Sequence, residues 1–186
     1  ISKRLSEGEI FQIEKAINKE MSEDEYIKMI SDKTASLISS ACYLGFYSNN
    51  KDEKLGDSIK RFGEYLGIAY QIRDDIFDIV GNIDNTGKSA NLDLKKNMLT
   101  LPYIYALSSL SKQDKKEFLL QIKRNISKKD INKIKDIIIS SGGIKYAEDK
   151  IKYFSNLAID ELNNFPDTDY KRALVSAVEF NINRKY

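Results

Sequence analysis

Histidine and tryptophan are absent from this 186-residue chain, cysteine occurs once, at Cys42, and proline only twice. Without histidine, imidazole acid–base chemistry and histidine-ligated zinc sites are excluded. One cysteine cannot close an internal disulfide, and the apolar setting of Cys42, from Ser39 to Phe46, marks it as a small core residue rather than a nucleophile. Alternation of period two, the signature of strands, is missing as well. Apolar runs are far shorter than a bilayer span, and no charged segment followed by an apolar stretch opens the chain, so neither a membrane helix nor a secretory leader is expected. There is no excess of one charge either. Thirty basic residues against 28 acidic ones leave a net +2, too balanced to argue for a nucleic-acid partner. A cytoplasmic location is the default expectation.

What is present is helix signal in quantity. Hydrophobic residues make up 41% of the chain, enough for one domain with a sizeable core, and residues 1–186 read as a single all-α domain without repeats. Ser6 with Glu9 predicts a helix start running to about Lys19, and Ser22 with Glu25 predicts a second start whose helix runs toward Phe46. A third helix is expected from about Glu53 to Val80, with Gly56, Gly63 and Gly67 near one stripe, where a close neighbour is the usual compensation for glycine's cost. A polar, turn-rich loop follows to about Asn97. Pro102 fits the first turn of a fourth helix ending near Leu110. Ser111 with Asp114 and Ser127 with Asp130 repeat the start signal, and Gly142-Gly143 gives a stop. Ile144 to Leu162 is helical in spacing, and a last helix starts at Thr168 or Asp169 and ends near Phe180. The lysine stretches Lys112 to Lys116 and Lys128 to Lys135 read as solvated helix faces.

Chemistry concentrates in Gln71 to Asp78, Gln-Ile-Arg-Asp-Asp-Ile-Phe-Asp. A helix presents Gln71, Asp74 and Asp78 along one face. Three like charges at Asp74, Asp75 and Asp78 destabilise that helix unless something neutralises them. In an Asp-rich stretch standing alone, a solvated face would be the ordinary reading, but Leu66, Ile68, Ala69, Ile72, Ile76 and Ile79 surround these charges with apolar positions, and charges placed there need partners. Magnesium takes oxygen ligands and is often held by one or two carboxylates together with substrate phosphates. Lys33-Thr34-Ala35, flanked by Ile30 and Leu37, adds a charge and a hydroxyl that can hold a phosphate. The loop from Asn82 to Asp93 imitates a calcium-binding loop, yet its first ligand would be an amide and its twelfth a short Asp, so that reading is set aside.

Together these stretches resemble the trans-isoprenyl diphosphate synthases, the polyprenyl synthetase family. The resemblance runs from Glu7-Gly8-Glu9-Ile10-x-Gln12 through Lys33-Thr34-Ala35, Gly67-x-x-x-Gln71-Ile72-x-Asp74-Asp75-x-x-Asp78, Gly87-Lys88 and Asp93-Leu94 to Thr100-Leu101-Pro102. It implies an isoprenoid-synthase-type helical bundle around a central cavity. In such a fold Asp74 is a magnesium (Mg2+) ligand, with Asp75 and Asp78 completing the acidic cluster directly or through water. Lys33 and Lys88 contact the allylic diphosphate, and Thr34 and Gln71 sit near the reacting carbons. The implied reaction joins isopentenyl diphosphate to an allylic prenyl diphosphate through an allylic cation, in a homodimer or with a heteromeric partner.

This chain lacks the family's first aspartate-rich motif and the arginine pair that follows it, and family members are roughly twice as long. The expectation is therefore the C-terminal portion of a polyprenyl synthetase domain. Asn91 and Asn97-Met98 also replace the usual glycine and Gly-Lys of the loop, which weakens its hold on a diphosphate. Two further readings stay open: a non-catalytic subunit of a heteromeric synthase, and a helical interaction module without catalysis.

Overall fold

The computed structural model describes residues 1–18, 20–49, 51–80, 99–115 and 128–184, and every regular element among them is helical. Helix α1 spans Ser2–Asn18, α2 Glu23–Ile30, α3 Ser36–Asn49, α4 Glu53–Val80, α5 Leu101–Ser109, α6 Lys128–Ser140, α7 Gly143–Glu161 and α8 Asp169–Asn183. The boundaries follow local chemistry. The Ser22 hydroxyl accepts from the Glu25 N–H while the Glu25 carboxylate accepts from the Ser22 N–H, the reciprocal cap that the sequence predicts. Thr168 caps α8 through the N–H of Lys171, and Pro102 stands in the first turn of α5. Gly142 turns the chain between α6 and α7 at φ +82°, the left-handed conformation that glycine adopts without a Cβ penalty.

Two expectations are corrected here. Ser6 does not start α1: the helix begins a turn earlier, with the Leu5 N–H bonded to the Ile1 carbonyl. That turn is fixed by Arg4, whose guanidinium reaches Asp32, Glu64 and Ser31. Burial works against ionisation of Glu64, but hydrogen bonds from Arg4 and Ser31 prevail and hold its pKa below the usual carboxylate value. The last helix runs past Phe180 to Asn183, because Asn181 is buried and the Ile182 carbonyl accepts from the buried Arg73 guanidinium at 2.7 Å.

Helix α4 is the axis of the molecule. At 1.5 Å per residue its 28 residues extend about 42 Å, and it packs most extensively against α7 on one side and α3 on another. It contributes to each of three apolar clusters: Ile59 and Phe62 with Ala158, Leu162 and Val178; Ile68, Ile72 and Ile76 with Tyr26, Met29, Ile30, Leu101 and Ile151; and Ile79 with Tyr103, Ile134 and Ile138. Each such side chain contributes about 1.5–3 kcal/mol by leaving water. Cys42 is only half-buried, beside Phe46 and against the first of these clusters. Burial raises its thiol pKa, consistent with a core residue rather than a nucleophile.

The segment joining α2 to α3 is a π-helical turn, Ser31–Ala35, inside what the sequence predicts as one continuous helix. Two glycines on different helices accommodate its wider backbone. A methyl group built at Gly67 of α4 would lie 2.5 Å from the Ala35 Cα, and one built at Gly8 of α1 would lie 2.9 Å from the Lys33 nitrogen. The close approach anticipated from the glycine stripe is therefore to a neighbouring helix backbone.

Candidate active site

The π-turn places Lys33 and Thr34 against the middle of α4. Thr34 Oγ1 donates to Gln71 Oε1 at 2.7 Å, Gln71 Nε2 donates to Asp75 Oδ1 at 2.8 Å, and the Tyr26 hydroxyl donates to Asp75 Oδ2 at 2.6 Å. This chain assigns the Gln71 amide: its oxygen faces Thr34 and its nitrogen faces Asp75. Tyr26 is fully buried and Asp75 is 6% exposed, so these are charge-assisted bonds in a low-dielectric setting, where each is stronger than at the surface. Gln71 is thereby fixed at both ends of its amide.

Lys33 points toward α1. Its Nζ donates to Gln12 Oε1 at 2.6 Å and lies 3.0 Å from Glu9 Oε2. The Lys33 side chain is one third exposed, so it is held in place by two side chains and still reachable from solvent.

Asp74 and Asp78 lie outside the buried chain of bonds. With Gln71 they form a partly exposed stripe of α4, while Asp75 between them turns inward. The predicted shared face of Gln71, Asp74 and Asp78 is thus present, and the structure separates Asp75 from it. The Asp74 carboxylate is 37% exposed and its Oδ1 lies 3.0 Å from Arg184 Nη2. The Arg184 guanidinium also sits 5.2 Å from the Tyr70 ring centre and 4.9 Å from that of Phe77. Lys88, Asp93 and the rest of residues 81–98, where the sequence predicts a loop, lie outside the described residues, as does the Ser127 start signal.

The donor chemistry fits a hard cation in part. Asp74 and Asp78, one helical turn apart, offer carboxylate oxygens on one face, which is what magnesium takes when water and phosphate complete its shell. Among the described residues no group of three or more Cys, Asp or Glu side chains is assembled to enclose a metal ion, so these residues suit a metal shared with a ligand. Two cavities lie elsewhere. One of about 780 Å³ is lined by Lys15, Glu23, Glu25, Tyr105 and Tyr146, and an apolar one of about 300 Å³ by Cys42, Phe46, Ile59 and Leu174. Neither includes Lys33, Gln71 or Asp74.

Sequence reading did not foresee Tyr26 and Arg184. Their partners lie 49 and 110 positions away in the chain, beyond any helical spacing. Gln12 and Glu9 stand in the stretch near Gly8 that carries part of the resemblance, although their contact with Lys33 has no local signal.

This arrangement of helices is that of the isoprenoid synthases. It superposes on the polyprenyl synthase of Caulobacter crescentus, crystallised with calcium and isoprenyl diphosphate, with a TM-score of 0.93 and 27% identity over 100% of this chain and 57% of that one. Within that class the chain belongs to the polyprenyl synthetase family, whose sequence profile matches residues 1–138. It is 31% identical over 183 residues to the geranylgeranyl diphosphate synthase of Saccharolobus solfataricus, covering 97% of this chain and 55% of that protein. To heptaprenyl diphosphate synthase component 2 of Bacillus subtilis it is 30% identical, covering 96% of this chain and 51% of that protein. The chain thus spans about half the length of the curated relatives it matches.

Proposed function

We propose that this chain belongs to a prenyltransferase that joins isopentenyl diphosphate to an allylic diphosphate and yields a longer prenyl diphosphate. The observation that carries this reading is the bonded series Tyr26–Asp75–Gln71–Thr34, which pins the acidic segment of α4 to the Lys33-Thr34 turn and leaves Asp74 and Asp78 on the accessible face. The family relationship supports it. The C–O bond of the allylic diphosphate breaks with its electron pair leaving on diphosphate, the isopentenyl double bond attacks the allylic carbon, and a proton passes from the new cation to the departing diphosphate.

Asp74 would hold Mg2+ in this reading, with Asp78 completing the acidic cluster directly or through water, while Asp75 keeps its bonds to Tyr26 and Gln71 and positions the acidic segment from within. When bound, the metal supplies Lewis-acid stabilisation of the charge growing on the diphosphate. Lys33, already placed by Gln12 and Glu9, and Lys88 contact the same diphosphate as point charges. Thr34 spends its hydroxyl proton on Gln71, so its lone pairs can face the cationic carbons. Apolar helices around α4 exclude water that would otherwise quench the cation. We place the protein in the cytoplasm and expect it to act as a dimer.

The test is prenyl transfer by the protein expressed from its complete coding region, supplied with magnesium, labelled isopentenyl diphosphate and farnesyl diphosphate. A longer labelled prenyl diphosphate and released diphosphate are expected. Magnesium-dependent binding of farnesyl diphosphate without turnover would favour a non-catalytic subunit of a heteromeric synthase. No magnesium-dependent binding at all would leave only a helical interaction module.

A further inference from the structure

The end of α8 lies against the acidic face of α4, and two adjacent residues of α4 hold it there. Arg73, 8% exposed, donates to the Ile182 carbonyl at 2.7 Å, and Asp74 meets the Arg184 guanidinium at 3.0 Å. Tyr70 and Phe77 complete the seat: they stand four residues before and three after Asp74, so all three belong to one helix face. Their ring centres lie 5.2 and 4.9 Å from the guanidinium carbon, within cation–π range. A planar cation thus rests on the carboxylate that the proposed function assigns to a divalent metal.

We propose that Arg184 is a built-in counter-cation for Asp74: its guanidinium neutralises the carboxylate until a divalent cation takes that oxygen, so that loading the metal and releasing Arg184, just past the end of α8, are one linked event. This rests on the metal-site reading above. Two positive charges compete for one carboxylate, and the bound metal repels the guanidinium that remains nearby. By linkage, whatever free energy Arg184 contributes to the closed arrangement is subtracted from metal affinity, and the metal loosens Arg184 by the same factor. A partly exposed ion pair and two partly exposed cation–π contacts are each modest, so the expected coupling is about five-fold.

The experiment titrates the 186-residue chain, held in a fixed excess of inorganic pyrophosphate, with manganese(II), followed by the electron paramagnetic resonance signals that separate protein-bound from unbound manganese. Arg184→Gln should bind manganese about five-fold tighter than the unaltered chain. Arg184→Lys, which keeps the charge without the planar stacking, should fall between them, and Asp74→Asn should bind least. In a parallel magnesium titration the Arg184 Nε–H resonance should move as the site fills and stay still in Asp74→Asn. Unchanged or weaker manganese affinity in Arg184→Gln, or an Arg184 resonance indifferent to bound metal, would overturn the counter-cation while sparing the metal site. If neither the unaltered chain nor Arg184→Gln binds manganese, or if Asp74→Asn binds undiminished, the metal-site reading fails and this inference fails with it.

Discussion

Asp74 and Asp75 are adjacent on α4, yet Asp75 is 6% exposed and receives hydrogen bonds from Tyr26 and Gln71, whereas the Asp74 carboxylate is 37% exposed and faces a guanidinium from the far end of the described chain. A turn of 100° per residue puts them on different sides of the helix. The inner carboxylate is committed to holding α2, the π-turn and α4 together. The outer one meets the Arg184 guanidinium at the accessible edge of the helix. In an acidic motif, residues of one type can thus divide between an inner position tied to other helices and an outer one within reach of solvent.

The sharpest way to break this comparison is to remove each carboxylate in turn. Asp75→Ala leaves the Tyr26 hydroxyl and the Gln71 amide without their acceptor in a buried setting, and should lower unfolding free energy by about 3 kcal/mol in urea titration. Asp74→Asn at the half-exposed position should change it by less than about 0.5 kcal/mol. Equal losses for both would erase the distinction.

Gly67→Ala tests the seat of the π-turn rather than its bonds. The added methyl meets the Ala35 backbone, and overpacking of this kind costs about 1–3 kcal/mol. A neutral outcome in thermal unfolding would mean that the turn shifts freely. Thr34→Val removes the donor to Gln71 at nearly constant volume and should cost about 1 kcal/mol, with prenyl transfer reduced if Thr34 also faces the substrate.

The smallest effect is remote from α4 and serves as a control. Glu25 has its pKa lowered from the usual 4.5 to about 2, first by the hydrogen bond from Lys15 and then by the Ser22 N–H. A carboxylate with a depressed folded-state pKa contributes stability that is present above its ordinary value and lost as pH falls through the folded one. The melting-temperature advantage of the unaltered chain over Glu25→Gln should therefore be complete above pH 4.5 and fade between pH 4.5 and about 2. A constant difference across that window would contradict the cap and ion pair.

Much of this fold is legible in the sequence because it is written locally. The cap at Ser22 with Glu25, the cap at Thr168, Pro102 in its first turn and the span of α4 from Glu53 to Val80 all follow from residues within four positions of one another, or from apolar periodicity. Ser6 shows the limit of such signals: a tertiary tether at Arg4 carries the helix past it. The π-turn has no signature of its own, since Ser31–Ala35 reads as helix in either form, and its trace is Gly8 and Gly67, which sit on two other helices. The motif residues Lys33, Thr34, Gln71, Asp74 and Asp78 are legible as a set. Their division into inner and outer partners is not, because Tyr26 meets Asp75, and Arg184 meets Asp74, only when distant helices pack.

The most direct test of the account is the position of the metal. Crystals of the protein soaked with manganese(II) and inorganic pyrophosphate should show an anomalous peak roughly 2.1 Å from an Asp74 oxygen, with Asp78 facing the same ion directly or through water. Asp75 should keep its bonds to Tyr26 and Gln71, and Arg184 should have left Asp74. A peak coordinated in place of the Tyr26–Asp75 bond, or one remote from Asp74, would contradict the division of the acidic segment on which this reading stands.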